Sequence, residues 1–532
     1  MNSIAKFFAV IACCVAGWVI AAGDVPQEKV LLIMLDGCRA DALFNADMPN
    51  ARKLAEGKWQ KNYNGLYSFY AQSVSDAPTH SAPNHTSLAT GVKAAKHLVW
   101  RNGYTKKGNF DQYPHFLSIL CDKYPALKAA YHYVWKESGM IRSGNKNVRY
   151  FNSSDAGVVA AGKKFLETGD ALTIYINLPD AGGHYGGFYP YHPYYMQTLA
   201  QCDQWIGEML DVIAKRKDFA NENWLICLTA DHGGYFTSHG HKPDTGMGAT
   251  IPLIICGKNV KSGQIAGTPY IFDVAPTIMK HFNIDPASKN MDGIVLGNDI
   301  FVDANANAPL KKDLQKIVTF DLVANGDLPG KSEVKRYVCF DKALVFNGGT
   351  ESFVVKDSEK IKFPDNNFTI TFWAKVPVQT AEDPLIFSSK STAAADENKP
   401  GLALYAYRNG DHPFIKRGRE KGLFLNVGSS GEKAINMSRF DRNDGWNFYA
   451  VTLDANKTLL FATGSADGYF YYMAVNGEKT LPVSGQAFRF GGQGFTGAVD
   501  DIAIWNRSLS RDQLEKIYRA GRAGLDISKL VK

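Results

Sequence analysis

Val30-Leu31-Leu32-Ile33-Met34-Leu35 is an unbroken apolar run, and it stops at Asp36-Gly37. An apolar run with no polar alternation fits a strand covered on both faces, as in a parallel sheet between helices. The same grammar recurs at Thr173–Leu178 (TIYINL), Trp224–Ala230 (WLICLTA) and Ile251–Cys256 (IPLIIC), with helix-like stretches between them. These runs predict an α/β fold up to about residue 300, with a mostly parallel sheet between helices. In such sheets, functional residues collect just beyond the carboxyl ends of the strands.

From about residue 340 the grammar changes. Short strand-like segments appear at Ala343–Phe346, Phe368–Trp373 (FTITFW), Trp446–Leu453 (WNFYAVTL) and Val499–Trp505 (VDDIAIW), with turns such as Asn347-Gly348-Gly349 between them. This predicts an antiparallel β-sandwich. The join, about 302–338, is polar and carries the turn signal Gly326-Asp327-Leu328-Pro329-Gly330. A chain of 532 residues is long enough for this two-domain division. With 45% hydrophobic and 21% charged residues, it is neither disordered nor fibrous. The net charge of +7 is thinly spread, and no Lys/Arg block marks a nucleic-acid-binding patch.

Residues 1–23 read as a secretory signal peptide. Lys6 precedes the apolar run Phe7–Ile20, and Ala21-Ala22-Gly23 supplies small residues for cleavage. The run is too short for a membrane span of about 20 residues, and no later segment is long and apolar enough. A secreted or periplasmic protein is therefore expected. Cys38, Cys121, Cys202, Cys227, Cys256 and Cys339 follow the signal with no tight disulfide spacing and read mostly as buried thiols.

Eleven of the 12 histidines precede residue 282, so metal or acid–base chemistry belongs to the first domain. Five short motifs follow strand-like runs there. They are Leu35-Asp36-Gly37, Ser81-Ala82-Pro83-Asn84-His85, Pro179-Asp180-Ala181-Gly182-Gly183-His184, Asp231-His232-Gly233-Gly234 and Ser238-His239-Gly240-His241. Any one alone reads as a turn or a solvated loop. Together they offer carboxylates, imidazoles and a hydroxyl at strand ends. Mixed carboxylate and imidazole donors suit Zn²⁺, and a pair of ions about 4 Å apart can hold both the attacking and leaving oxygens of an in-line displacement. Coordination also activates a serine that is a poor nucleophile at neutral pH.

In this order the motifs resemble the alkaline phosphatase superfamily over roughly residues 28–300. The closest resemblance is to its type I phosphodiesterase/nucleotide pyrophosphatase branch and to compact bacterial alkaline phosphatases. That resemblance implies a catalytic domain over 28–301 in which Ser81 is the nucleophile and Asn84 contacts a phosphoryl oxygen. It implies one metal on Asp180, His184 and His239, with His241 as the rival of His239. It implies a second metal on Asp36, Asp231, His232 and Ser81 Oγ. It further implies two divalent ions, Zn²⁺ in this family, and a phosphoseryl intermediate. Thr79 and Thr86 flank the nucleophile motif as minor candidates for its role. His85 stands where sulfatases of the superfamily need arginine, which argues against sulfatase chemistry.

Serine is also the alkaline phosphatase nucleophile, so phosphomonoesterase activity is the alternative to phosphodiesterase. A monoesterase needs an extra cation, for which Lys136, Arg142 and Arg101 are candidates. A diesterase needs an apolar shelf, for which Tyr185, Phe188, Tyr189, Tyr191, His192, Tyr194 and Tyr195 are candidates. Residues 339–525 resemble the laminin G-like, concanavalin A-like jelly rolls, carried by Leu344–Gly348, Phe368–Trp373, Trp446-Asn447-Phe448, Gly497–Ile502 and Ile504–Arg507. Such domains often bind glycans or act as spacers. A glycan-binding protein on an inactive hydrolase scaffold is the more distant reading. A phosphate ester substrate and a glycan bound through the C-terminal domain are the expected partners.

Overall fold

The computed structural model describes residues 26–74, 76–142, 147–240, 246–297, 308–319, 343–364, 367–377, 379, 381, 384–390, 399–406, 422–429, 432–440, 445–465, 468–476, 485 and 487–531. The signal segment, His241 and Cys339 lie outside the described residues. Among the described residues, no helix is long and apolar enough to cross a membrane.

The N-terminal sheet has eight strands: β1 (Glu28–Leu35), β2 (Asn64–Gln72), β3 (Ala129–Tyr133), β4 (Val148–Asn152), β5 (Ala171–Ile176), β6 (Asn223–Thr229), β7 (Thr250–Gly257) and β8 (Gly263–Gln264). Their order is β4-β3-β5-β1-β6-β7-β2-β8. β1 lies parallel between β5 and β6, and its apolar run is fully buried, as an unbroken run requires. β3 is parallel to β4 and β5. β7 is antiparallel to both β6 and β2, so the run at 251–256 lies against the majority direction. The carboxyl ends of β1, β5, β6 and β2 consequently share one edge.

The C-terminal strands are β9 (Leu314–Val318), β10 (Leu344–Asn347), β11 (Phe353–Val354), β12 (Phe368–Lys375), β13 (Leu385–Ser388), β14 (Gly401–Tyr405), β15 (Gly422–Ser429), β16 (Glu432–Phe440), β17 (Trp446–Leu453), β18 (Thr458–Gly464), β19 (Phe470–Asn476), β20 (Arg489–Phe490) and β21 (Thr496–Trp505). One sheet runs β10-β21-β12-β17-β18-β19, with β9 also on β21, and the other runs β11-β20-β13-β14-β15-β16. This is the expected sandwich. β9 falls inside the stretch read as a linker. It pairs with β21, and Arg507 fixes the chain ahead of it through the carbonyls of Pro309 and Lys312.

The two domains share apolar contacts. Ala40, Phe69 and Tyr70 cluster with Trp373, Phe470, Tyr472 and Tyr518. β19 lies against the first domain: Ala474 N–H donates to Thr250 Oγ1 (2.9 Å), Gln72 Nε2 to Ala474 O (3.2 Å) and Asn45 Nδ2 to Phe470 O (2.9 Å).

Candidate active site

Asp36 sits one residue beyond β1, Asp231 two beyond β6, and Asp180 four beyond β5 in the helix Leu178–Gly186. Adjacent parallel strands thus bring three carboxylates from distant sequence to one point. Gly37 makes the approach possible. Its φ is +67°, and a Cβ there would lie 2.9 Å from both the Cα and Oδ1 of Asp180.

Ser81 opens the helix Ser81–Thr90, and its Oγ lies 3.1 Å from His232 Nε2. Asp231 Oδ1 accepts from the backbone N–H of Gly37 (3.1 Å) and of His232 (2.9 Å). Tyr175 donates to Asp36 Oδ2 at 2.6 Å. His232 Nε2 lies 3.4 Å from Asp36 Oδ1 and 3.2 Å from Asp231 Oδ2. Nearby, His184 Nε2 lies 3.5 Å from Asp180 Oδ2, and His239 Nε2 lies 3.7 Å from Asp180 Oδ1. The His232 and His239 rings stack at 4.0 Å.

The three imidazoles share one orientation. Nδ1 of His184 faces Thr237 O (2.8 Å), Nδ1 of His232 faces Gly233 O (2.8 Å), and Nδ1 of His239 faces Thr79 O (3.2 Å). A carbonyl can only accept, so each Nδ1 donates to it and each Nε2 is left facing the carboxylates. Asp36 Oδ1 and Asp180 Oδ1 are buried without a hydrogen-bond partner. Orphaned anionic oxygens beside converging Nε2 atoms fit a cation, and this donor set suits Zn²⁺.

Electrostatics point the same way. Burial, with Asp36 and Asp231 alongside, pushes the Asp180 carboxyl up to about 9. Burial also acts against charge on Asp231, but His232 and His85 outweigh it and hold that carboxyl well below the ordinary range. His239 is lowered to about 2 by burial and by the neighbouring His232. A crowded carboxyl that retains its proton calls for positive charge nearby. Three overlapping sets have ligand atoms close enough to share an ion: Asp180, His184 and His239; Asp36, Asp180 and His232; and Asp36, His85 and Asp231.

Several expectations change. Asn84 is fully buried and structural: Val74 N–H donates to its Oδ1 (2.7 Å), and its Nδ2 donates to His80 O (2.9 Å). These bonds replace the expected phosphoryl contact. The amide beside Ser81 is that of Asn102, whose Oδ1 accepts from Ala82 N–H at 2.9 Å. Thr86 donates to Ala82 O within its own helix, and Thr79 donates to His239 O, so both hydroxyls are engaged. Phe188 and Tyr195 are core residues, with Tyr195 bonded to Gly37 O and Arg39 N. Of the proposed shelf, Tyr185, 80% exposed, and Tyr194 form an open pair beside His184, with ring centroids 5.0 Å apart. Arg142 is taken up by Gly139 O and the Tyr150 ring, and Arg101 by Tyr104. Lys136 is exposed.

Two residues enter that the motifs did not single out for the site. His85 Nε2 lies 3.0 Å from Asp231 Oδ2 and 3.6 Å from Asp36 Oδ2. Burial opposes its charge, but the bonds to these two aspartates outweigh that and raise it to about 9. Ser81 and His85 are four residues apart, on one face of a helix, and that spacing was the available signal. Arg39 is buried, forks onto Asp41 (2.8 and 2.6 Å) and donates to Phe188 O (2.8 Å) and Gly234 O (3.3 Å), tying three site loops together.

Residues 30–245 match the family of type I phosphodiesterase / nucleotide pyrophosphatase, and residues 347–515 match the concanavalin A-like lectin/glucanases superfamily. The first domain is thus similar to a phosphoester hydrolase family, and the second is similar to the concanavalin A-like domains. No curated protein sequence matches. Solved structures similar to the chain include murine ectonucleotide pyrophosphatase / phosphodiesterase 5, in an inactive form with AMP. It is 14% identical, covers 48% of this chain and 95% of its own, and has a TM-score of 0.39. A 2-O GAG sulfatase is 12% identical over 51% of this chain and 73% of its own, with a TM-score of 0.39. The phosphonate monoester hydrolase of Agrobacterium radiobacter is 12% identical over 50% and 76%, with a TM-score of 0.36.

Proposed function

We propose that the protein is an exported, metal-dependent phosphoric-ester hydrolase of the phosphodiesterase/nucleotide pyrophosphatase type, with Ser81 as nucleophile. The observation that carries this reading is the inward turn of three Nε2 atoms onto buried, unpartnered carboxylate oxygens beside one serine hydroxyl. Asp180, His184 and His239 would hold one divalent ion, and Asp36, Asp231, His232 and Ser81 Oγ the other. Such ions, Zn²⁺ by donor type, would supply charge neutralisation and Lewis-acid polarisation.

The chain's own residues do the rest. Ser81 Oγ attacks phosphorus in line, the P–Oγ bond forms, and the ester oxygen departs and takes up a proton. Water then adds to the phosphoserine, the P–Oγ bond breaks and Ser81 regains its proton. The amino end of the helix Ser81–Thr90 and the Asn102 amide face the non-bridging oxygens, where helix dipole and N–H donors favour negative charge. His85 holds Asp231 and Asp36 in place from the side opposite solvent.

The open Tyr185–Tyr194 pair favours a diester with an aryl or base substituent that can stack there. Phosphomonoesterase activity is the alternative. Its candidate cation is Arg101, which adjoins Asn102 in the chain and is held by Tyr104. The composition of residues 1–23 supports export, and the concanavalin A-like domain supports a glycan as a second ligand.

The test is turnover of p-nitrophenyl phosphate against bis-p-nitrophenyl phosphate, with Zn²⁺ and with chelator. The expected result is preference for the diester, abolished by chelator. Preference for the monoester would replace this reading with the alternative. No turnover of either ester by Zn²⁺-loaded protein would overturn both.

A further inference from the structure

Described residues on either side of His239, before it in the chain and from Gly246 onward, pack on the other domain. Tyr235 and Met247 are buried members of the apolar cluster between the two sheets of the C-terminal sandwich, and Phe236 packs against that cluster. A Cβ on Gly246 would lie 3.2 Å from Met473 Sδ and 3.4 Å from Met437 Cε, so the chain passes directly over sandwich side chains. Met247 also faces the active site, where its Sδ accepts from Arg39 Nη1 at 3.7 Å. The same Nη1 holds Gly234 O and Phe188 O. Between these anchors, Thr237 O orients His184 and Thr79 holds His239.

We infer that the concanavalin A-like domain is a positioning element of the hydrolase site, setting the place of His239 and His184 through Met473, Met247 and Tyr235. The inference rests on the reading of Asp180, His184 and His239 as an ion site. Its physical basis is that ligands on a loop keep their geometry only where packing locks the loop. The helix Gly246–Ala249 has too few residues to hold itself, and β19 supplies the surface it packs on. Asp36, Asp231 and His232 need no such support, because they follow adjacent sheet strands directly.

The test is Zn²⁺ titration calorimetry on the full chain, with thermal unfolding measured in parallel, for wild type, Met473→Ala, Thr250→Val, His239→Ala and Asp36→Asn. Thr250→Val removes a β19 contact without opening the sandwich core, and it serves if Met473→Ala fails to fold. The expected result is two ions in wild type. Met473→Ala or Thr250→Val should weaken by roughly tenfold or more the site that His239→Ala abolishes, and leave unchanged the site that Asp36→Asn abolishes. Wild-type affinity at both sites in every variant that folds, with only the unfolding temperature lowered, would overturn the inference. Failure of the underlying ion-site reading would look different: His239→Ala itself would leave both affinities intact.

Discussion

The two halves of the candidate site are built differently. Asp36, His85, Asp231 and His232 have side chains no more than 2% exposed and sit at or against the ends of adjacent parallel strands. Asp180, His184 and His239 are 13%, 45% and 13% exposed and sit on a short helix and a loop. The inner half takes its geometry from the sheet's register and from buried hydrogen bonds. The outer half depends on backbone carbonyls of neighbouring loops and on packing supplied by the second domain. A hydrolase that must admit substrates of different shape can vary the outer half and leave the inner half alone.

The sharpest way to break this comparison is at Ser81, which belongs to the inner half. Ser81→Ala removes the attacking oxygen and leaves all the imidazoles and carboxylates. It should lower kcat by roughly 10³-fold or more, with an unchanged circular dichroism spectrum. Near-normal turnover would remove Ser81 from the mechanism. Next in size is the contrast between the halves. Asp36→Asn takes a charge from a fully buried set and should cost about 3–5 kcal/mol of ion binding there. His184→Ala opens a position that water can fill, so its site should weaken only by about tenfold. Equal losses in a calorimetric titration would mean that burial does not separate the halves.

The same division explains what the sequence disclosed. Asp36, Asp180 and Asp231 were legible because each follows an apolar run whose strand nature is set by local composition. The change of grammar near residue 340 disclosed the sandwich in the same way. His85 was harder to read, because its partners Asp231 and Ser138 lie 146 and 53 residues away and become neighbours only through the sheet. Asn84 was misplaced and Asn102 was not foreseen for a similar reason: which amide meets backbone and which lies beside Ser81 depends on how residues 74–102 are arranged around the helix. The aromatic run after His184 could not be sorted by composition, since Phe188 fills the space above Gly183 and Gly234 while Tyr185, three residues earlier, points to solvent. Nothing local marked Tyr235 and Met247 as members of a core built 100 or more residues later.

A smaller effect concerns protons in the chelated protein. Asp180, raised to about 9 from 3.8, and His85, raised to about 9 from 6.5, both bind more protons folded than unfolded. Stability from such groups is complete below the unfolded value and is lost as pH rises through the folded one. His239, lowered to about 2, affects the slope only below 6.5, where its unfolded form titrates. From pH 7 to 9 the chelated protein's Tm should therefore fall. With Zn²⁺ the fall should vanish or reverse, because the ion competes with these protons. Parallel, flat Tm profiles with and without chelator would contradict the crowding of three carboxylates at one point.

The smallest expected effect lies at the outermost edge of the outer half. The Tyr185 ring is 80% exposed and stands open beside Tyr194. If that pair stacks on the second substituent of a diester, Tyr185→Ala removes only an aromatic contact worth about 0.5–1.5 kcal/mol. KM for bis-p-nitrophenyl phosphate should rise a few-fold with kcat unchanged, since stacking far from phosphorus is the same in ground and transition states. Turnover of methyl p-nitrophenyl phosphate, whose second substituent cannot stack, should not respond. A matched rise in KM for both diesters would assign Tyr185 to general packing of the rim. A fall in kcat for both would place it within reach of the reacting atoms, and the boundary between the two halves would have to be redrawn.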